Sequence, residues 1–170
     1  MRCCGAWNCA SAGGSTAGAL TYDPLGRLFQ VSSGGSTTQF VYDGDRLVAE
    51  YNGSGALLRR YVHGPGVDEP VLWYEGSALT ARRSLLANHQ GSIIAVADSA
   101  GATLQINAYD AYGVPNPSNL GRFQYTGQAW IEQLGLYHYK ARVYSPGLGR
   151  FLQTDPVGYD DDVNMYSYAA

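Results

Sequence analysis

The stretch Gln39-Phe-Val-Tyr-Asp-Gly-Asp-Arg-Leu-Val-Ala-Glu-Tyr51 decides the fold. Its first five residues include aromatic and β-branched side chains, which suit a pleated strand. Asp43-Gly44 then signals a tight hairpin, because glycine accepts a positive φ without steric cost. The chain returns along Arg46–Tyr51, turns again at Asn52-Gly-Ser-Gly55, and runs out along Leu57-Leu-Arg-Arg-Tyr-Val62. Two strands and two turns consume about twenty residues. One hairpin cannot bury its apolar side alone, so its neighbours must extend it into a sheet.

The same unit recurs. Tyr22-Asp-Pro-Leu-Gly-Arg-Leu28 precedes Tyr42-Asp-Gly-Asp-Arg-Leu47, and Arg60-Tyr-Val-His-Gly64, Tyr109-Asp-Ala-Tyr-Gly113 and Tyr125-Thr-Gly127 follow. In each, a tyrosine ends a strand and a polar or glycine turn comes next. Ser92–Ala97 reads as a strand, and Thr103–Tyr109 alternates with period two, as a half-buried strand does. Gly113–Gly121 reads as a loop, since its prolines lack a ladder donor. Helix is scarce: Ser84–Ala87 is too short, and Gln128–Leu134 reads as one turn. The predicted fold is all-β, a strip of antiparallel β-hairpins ending in a compact terminal unit. Residues 1–19 read as a disordered or artificial leader, 20–122 as hairpin repeats and 123–170 as the terminal unit.

Composition agrees with many short strands and tight turns. There are 22 glycines and 14 tyrosines in 170 residues, and charged residues make up only 15%. Lys140 is the only lysine and the net charge is −3, so no basic stripe marks a nucleic-acid site. No apolar run approaches the roughly 18 residues of a membrane span. Cys3, Cys4 and Cys9 are too few and too clustered for a disulfide framework, and no second Cys/His pair completes a metal knuckle. The run Asp160–Asp162 lacks the alternating ligands of a calcium loop and reads as a solvated acidic loop. His63, His89 and His138 show no nucleophile-His order. Gly53-Ser-Gly55 and Gly64-Pro-Gly66 lack the Lys-Ser/Thr and helix of a phosphate loop. Nothing calls for a metal or a cofactor.

The C-terminal third carries a resemblance. Gly127, Leu136-Tyr-His-Tyr-Lys-Ala-Arg142, Pro146, Gly149-Arg-Phe151 and Asp155-Pro-Val-Gly158 resemble the core motif of RHS-repeat (YD-repeat) proteins. Tyr22–Leu28 resembles a YD repeat. Leu86–Gly113, with His89-Gln-Gly-Ser92, resembles the segment before the core. The resemblance covers about residues 20–170 and implies a hollow shell of β-hairpins plugged at one end by the core. Such a shell encapsulates a C-terminal toxin or effector in bacterial competition or host interaction. The implied partners are that cargo and the remaining repeats, and the implied location is secreted or cell-surface.

The resemblance also implies an aspartate-dependent autoprotease that frees the cargo. Matched residue by residue, its arginine is Arg142 and its first acid is Asp155. Two adjacent carboxylates share one proton, so one can activate water while the other polarises the scissile carbonyl. The expected second Asp-Pro-x-Gly does not follow Asp155 in this sequence, and the chain reads as truncated at both ends. Taken alone, Asp155-Pro156 reads as a turn starter, and Arg142 as half of a surface ion pair. A second alternative is a carbohydrate-binding module contacting cell-surface glycans. Its candidate stacking rings are Trp73, Tyr74, Trp130 and Tyr137, for which cross-strand packing is the simpler reading. Unpaired sheet edges would favour self-association of the chain by itself. With one acid of the pair, the 170-residue chain is expected to remain intact. A mass spectrum showing internal cleavage that Asp155→Asn abolishes would overturn this.

Overall fold

The computed structural model describes residues 6–9, 18–156 and 164–168. The first ten strands are β1 (Ala6–Cys9), β2 (Gly18–Tyr22), β3 (Leu28–Ser33), β4 (Ser36–Asp43), β5 (Arg46–Asn52), β6 (Leu57–His63), β7 (Pro70–Glu75), β8 (Arg82–Ala87), β9 (Ile93–Ala97) and β10 (Thr103–Ile106). They form one antiparallel sheet in which spatial order follows chain order throughout. A second sheet joins β11 (Ala129–Ile131), β12 (Leu136–Tyr139), β13 (Arg142–Ser145) and β14 (Arg150–Phe151), again in chain order. The long sheet is the strip, and the small one is the plug.

One turn design recurs at five places. Asp23, Asn52, Asn88, Asp98 and Asp110 each accept, on Oδ1, the backbone N–H groups two and four residues on. Their own carbonyls accept from the glycine three residues on, and their N–H groups donate to the carbonyl four residues on. That glycine has φ between 81° and 88° in each case. An Asx side chain satisfies the turn's donors while glycine supplies the left-handed residue. This is the physical content of the Tyr-Asp-x-x-Gly pattern.

A second device follows the turns. Phe29, Val48, Leu58, Val71, Ile94 and Leu104 are each skipped in the pairing register, so each of these six returning strands is bulged at its second residue, or its third in β5. The bulge resets the side-chain phase. Inward residues then sit three apart: Leu28 and Val31, Leu47 and Glu50, Pro70 and Trp73, Ile93 and Val96. With Leu20, Phe40, Tyr61 and Leu85 they form the strip's buried face, closed by Phe123, Ile131, Leu136 and Val143 of the plug region.

Ala6–Cys9 is a strand that pairs with β2 from Gly18 onward. Residues 1–5 and 10–17 lie outside the described set, as do the side chains of Cys3, Cys4 and Cys9. Thr103–Tyr109 is a strand only to Ile106, and its alternation runs the other way: Leu104 and Ile106 are exposed while Asn107 is buried. Asn107 turns inward because its amide group exchanges two hydrogen bonds with the backbone of Leu120, pinning the loop that enters the plug. Ser84–Ala87 belongs to β8, and Gln128–Leu134 splits into β11 and a 3-10 turn at Glu132–Leu134.

Glu50 is the exception on the buried face. It is fully buried, opposite Phe40 in the register. Arg122, at the entrance to the plug, donates to it from Nε at 2.7 Å and Nη2 at 3.0 Å, and donates from Nη1 to the Trp130 carbonyl at 2.6 Å. The Tyr61 hydroxyl donates at 2.5 Å. Burial pushes the Glu50 carboxyl up, but the Arg122 charge and these hydrogen bonds outweigh it and hold the group below its ordinary range. Removing one partner strands the other in the core, so Glu50→Gln or Arg122→Met is expected to cost about 3–5 kcal/mol. Glu50→Leu with Arg122→Met is expected to cost less than the sum of the two single changes. Urea unfolding of the four chains of this cycle measures the difference, and additivity within about 0.5 kcal/mol would contradict the pairing.

Candidate functional site

Arg142 opens β13, directly after the tight turn at Lys140-Ala141 that joins it to β12. Asp155 lies beyond β14. Two tethers bring the chain back to the arginine: Leu152 N–H donates to the Val143 carbonyl at 2.8 Å, and Val143 N–H donates to the Gln153 side chain at 2.6 Å. The result is an ion pair of 2.6 Å between Arg142 Nη1 and Asp155 Oδ2, with both side chains about four-fifths buried (20% and 18% exposed). The Arg142 guanidinium also lies 3.8 Å from the centroid of the Phe151 ring. Asp155 N–H donates to the Met165 carbonyl at 3.0 Å, and Phe151 N–H donates to that of Tyr166 at 3.1 Å.

Phe151 links the pair to an aromatic cluster. Tyr137, Tyr144 and Phe151 are buried, with Tyr125, Trp130, Tyr139 and Tyr168 packed around them. The Tyr139 hydroxyl meets Thr126 Oγ1 at 2.6 Å and the Tyr168 hydroxyl at 2.9 Å. Tyr137 and Tyr144 donate to the carbonyls of Gly113 and Tyr112. Burial raises the phenol pKa of Tyr144 to about 12, so the cluster stays neutral and donates. Asp160, Asp161 and Asp162 lie outside the described residues.

The candidate sugar-stacking rings are placed differently. Trp73 and Tyr137 are buried and present no face to a ligand. Tyr74 and Trp130 are half-buried, Trp130 with its ring 4.6 Å from Tyr137. Trp73 Nε1 donates to Glu75 at 3.0 Å, and Arg83 lies over its ring. Among the described residues, no group of three or more His, Cys, Asp or Glu is placed to hold a metal ion.

Sequence reasoning missed the seam between strip and plug. There Lys140 pairs with Asp68 at 2.8 Å, and the buried Nε2 of His138 has no hydrogen-bond partner among the described residues. Burial alone lowers the His138 pKa to about 4. The only sequence signal was a histidine within the aromatic strand Leu136-Tyr-His-Tyr139, which reads equally well as packing.

Comparison with known proteins bears on the whole arrangement. The chain is 32% identical over 159 residues to the tRNA nuclease WapA of Bacillus subtilis (strain 168), covering 86% of the chain and 7% of that relative. It is 30% identical over 183 residues to the double-stranded DNA deaminase toxin A of Burkholderia cenocepacia (strain H111), covering 88% of the chain and 13% of that protein. The Photorhabdus luminescens Tc holotoxin pore with a mutated TccC3 superposes at a TM-score of 0.67 and 22% identity, over 96% of the chain and 9% of that chain. The chain belongs to the RHS-repeat (YD-repeat) family. A crystal structure of TcdB2-TccC3-Cdc42 shares the fold at a TM-score of 0.67 and 20% identity, over 96% of the chain and 9% of that chain. No family model matches the chain. As an RHS-repeat segment it spans a small fraction of each relative, and the likeness to the solved structures is one of fold.

The buried His138 gives this RHS segment an acid-sensitive seam. The unfolded histidine takes up a proton near pH 6.5 and the folded one only near pH 4. Between those values the unfolded state binds more protons, so stability falls as pH falls. Urea unfolding is expected to show a loss of about 3 kcal/mol between pH 7 and pH 4 from this group. His138→Leu should flatten that part of the profile, and an unchanged slope in the variant would contradict the assignment.

Proposed function

We propose that this chain is a wall-and-plug segment of an RHS-repeat shell that encapsulates and presents a C-terminal toxin or effector, in a secreted or cell-surface system of bacterial competition or host interaction. The observation that carries the reading is architectural. The strip adds strands only sideways, in chain order, and a separate four-stranded unit covers its apolar face. A wall of that kind lengthens by repeating one hairpin, and the covering unit ends it. Relatives named for a tRNA nuclease and for a DNA deaminase toxin both share this segment. A common housing with interchangeable cargo has that distribution.

A second reading is favoured by one contact. Arg142 and Asp155 are 13 positions apart in sequence yet meet at 2.6 Å, with the guanidinium over the Phe151 ring. In this reading Asp155 supplies one carboxyl of an acid pair, Arg142 fixes its orientation, and the chain is cut between shell and cargo. Charge-assisted contact to a planar guanidinium is directional in a way that lysine does not reproduce.

Both readings are tested on the full-length protein that contains this segment. Under limited proteolysis the C-terminal polypeptide is expected to survive while the shell is intact, and to be digested once Arg122→Met loosens the plug. Equal digestion of housed and free C-terminal polypeptide would overturn the encapsulation reading. In the same preparation, Asp155→Asn is expected to slow release of the C-terminal polypeptide by at least about a hundredfold. Unchanged release would leave Asp155 a structural residue.

A further inference from the structure

A pocket of about 340 Å³, at the small end of ligand sites, opens beside the Arg142–Asp155 pair. Asp23 and Gly26 of the first Asx turn line it from the strip, and Lys140, Arg142 and Gln153 line it from the plug. Every charge in this lining is already matched. Asp23 is paired with Arg27 at 2.7 Å, Lys140 with Asp68 at 2.8 Å and Arg142 with Asp155 at 2.6 Å. The lining therefore favours neither an anion nor a cation.

The amide of Gln153 is only half used. Its Oε1 accepts the Val143 N–H at 2.6 Å. A backbone N–H can only donate, so this contact fixes which end of the amide faces the strand. The Nε2 group, with two N–H donors, is left over. It has no hydrogen-bond partner among the described residues. It is also not enclosed: among the described residues, the buried side-chain atoms left without a partner are Arg60 Nε, Arg83 Nε and His138 Nε2. The tether holds these donors in place, because Val143 directly follows Arg142 and Gln153 stands two residues before Asp155. An oriented, uncharged donor in a pocket whose charges are all matched suits a neutral acceptor. Every residue of a polypeptide carries one, its main-chain carbonyl.

We propose that Gln153 Nε2 holds a main-chain carbonyl of the segment that is cut between shell and cargo, seated in this pocket. This role rests on the reading in which Asp155 supplies one carboxyl of an acid pair, and it names the contact that presents the substrate to that pair. The two ends of one amide then serve two purposes. Oε1 ties the approach to Asp155 onto β13, and Nε2 registers the chain to be cut. A carbonyl contact reads no side chain, so it sets the position of the cut and leaves the sequence of the segment free.

The test uses the full-length protein that contains this segment and follows release of the C-terminal polypeptide at neutral pH. Gln153→Glu keeps an acceptor for the Val143 N–H but turns the donor into an acceptor. Gln153→Met removes both ends without adding a charge. Each is expected to slow release by about tenfold, the worth of one hydrogen bond. Loss of the tether cannot explain the first variant, and a new charge beside Arg142 cannot explain the second, so a drop in both belongs to the donor. Gln153→Glu is expected to unfold at the same urea concentration as the parent. Release at the parent rate in either variant, or a lowered urea midpoint in Gln153→Glu, would overturn the proposal. Asp155→Asn separates the two levels: unchanged release there overturns the acid-pair reading and this contact with it, whereas slow release there with parent-rate Gln153→Glu overturns the contact alone.

Discussion

A carboxylate occupies a core slot of this sheet, and the relation of plug to strip follows from it. Glu50 sits where other returning strands place Val31, Trp73 or Val96. An isolated charge there is untenable, so a cation must come to it. Arg122 is that cation, arriving from 72 residues away in sequence. Apolar faces alone would let the plug slide on the strip, since the hydrophobic effect has no direction. A bidentate guanidinium–carboxylate contact has direction. By also donating to the Trp130 carbonyl, Arg122 ties the carboxylate of β5 to the first strand of the plug. Arg59 extends the network, 3.8 Å from Glu50 and 3.1 Å from Glu75, whose carboxylate also accepts from Trp73. Buried ion pairs contribute little net stability compared with well-packed hydrophobes. What this one supplies is orientation.

The strip itself rests on a local constraint repeated along the chain. Asx-x-x-Gly closes the turn, and a bulge follows at the second residue of the returning strand. Each bulge twists the ribbon and rotates the next inward residue into place. Long-range clamps then tie one turn to the next: Arg27, Arg60 and Arg82 each donate to a carbonyl 17 residues on, at Gly44, Ser77 and Ser99. Tyr42 and Tyr109 donate backwards, to the carbonyls of Leu28 and Ile93. The tyrosine of the repeat is thus both a packing ring and a tether.

The fold was legible because these turn devices are written locally. Asp43-Gly44, Asn52-Gly-Ser-Gly55 and Asp98-Ser-Ala-Gly101 announce their turns in the residues that make them. The burial pattern was less legible, and bulges are the reason. Strict alternation from Leu47 puts Glu50 on the outer face; the bulge at Val48 turns it inward. The same slip at Leu104 sends Leu104 and Ile106 outward and Asn107 in. The Arg142–Asp155 pair was found through motif resemblance, since nothing in its spacing shows that the two side chains meet. Glu50, Arg122 and the burial of His138 escaped notice because each depends on contacts between strip and plug, which local patterns do not encode.

The positions that escaped notice share a location, and that has a physical consequence. A strip one layer thick has no interior of its own, so a polar side chain on its buried face must find its partner in whatever covers that face. Glu50, Asn107 and His138 are all buried beneath or beside the plug. Glu50 and Asn107 are satisfied across sequence separations of 72 and 13 residues, while His138 Nε2 is left over. Acid acts on this seam from two sides. Falling pH protonates the unfolded His138 first and then neutralises Glu50, and each step favours separation of plug from strip. Asp23, in the first Asx turn, is also held below its ordinary range: desolvation raises it, but the backbone N–H groups of Arg27 and Leu25 and the Arg27 side chain outweigh that, so strong acid weakens that turn as well. Acid therefore acts first at the seam, through His138, and reaches the carboxylates of Glu50 and Asp23 later.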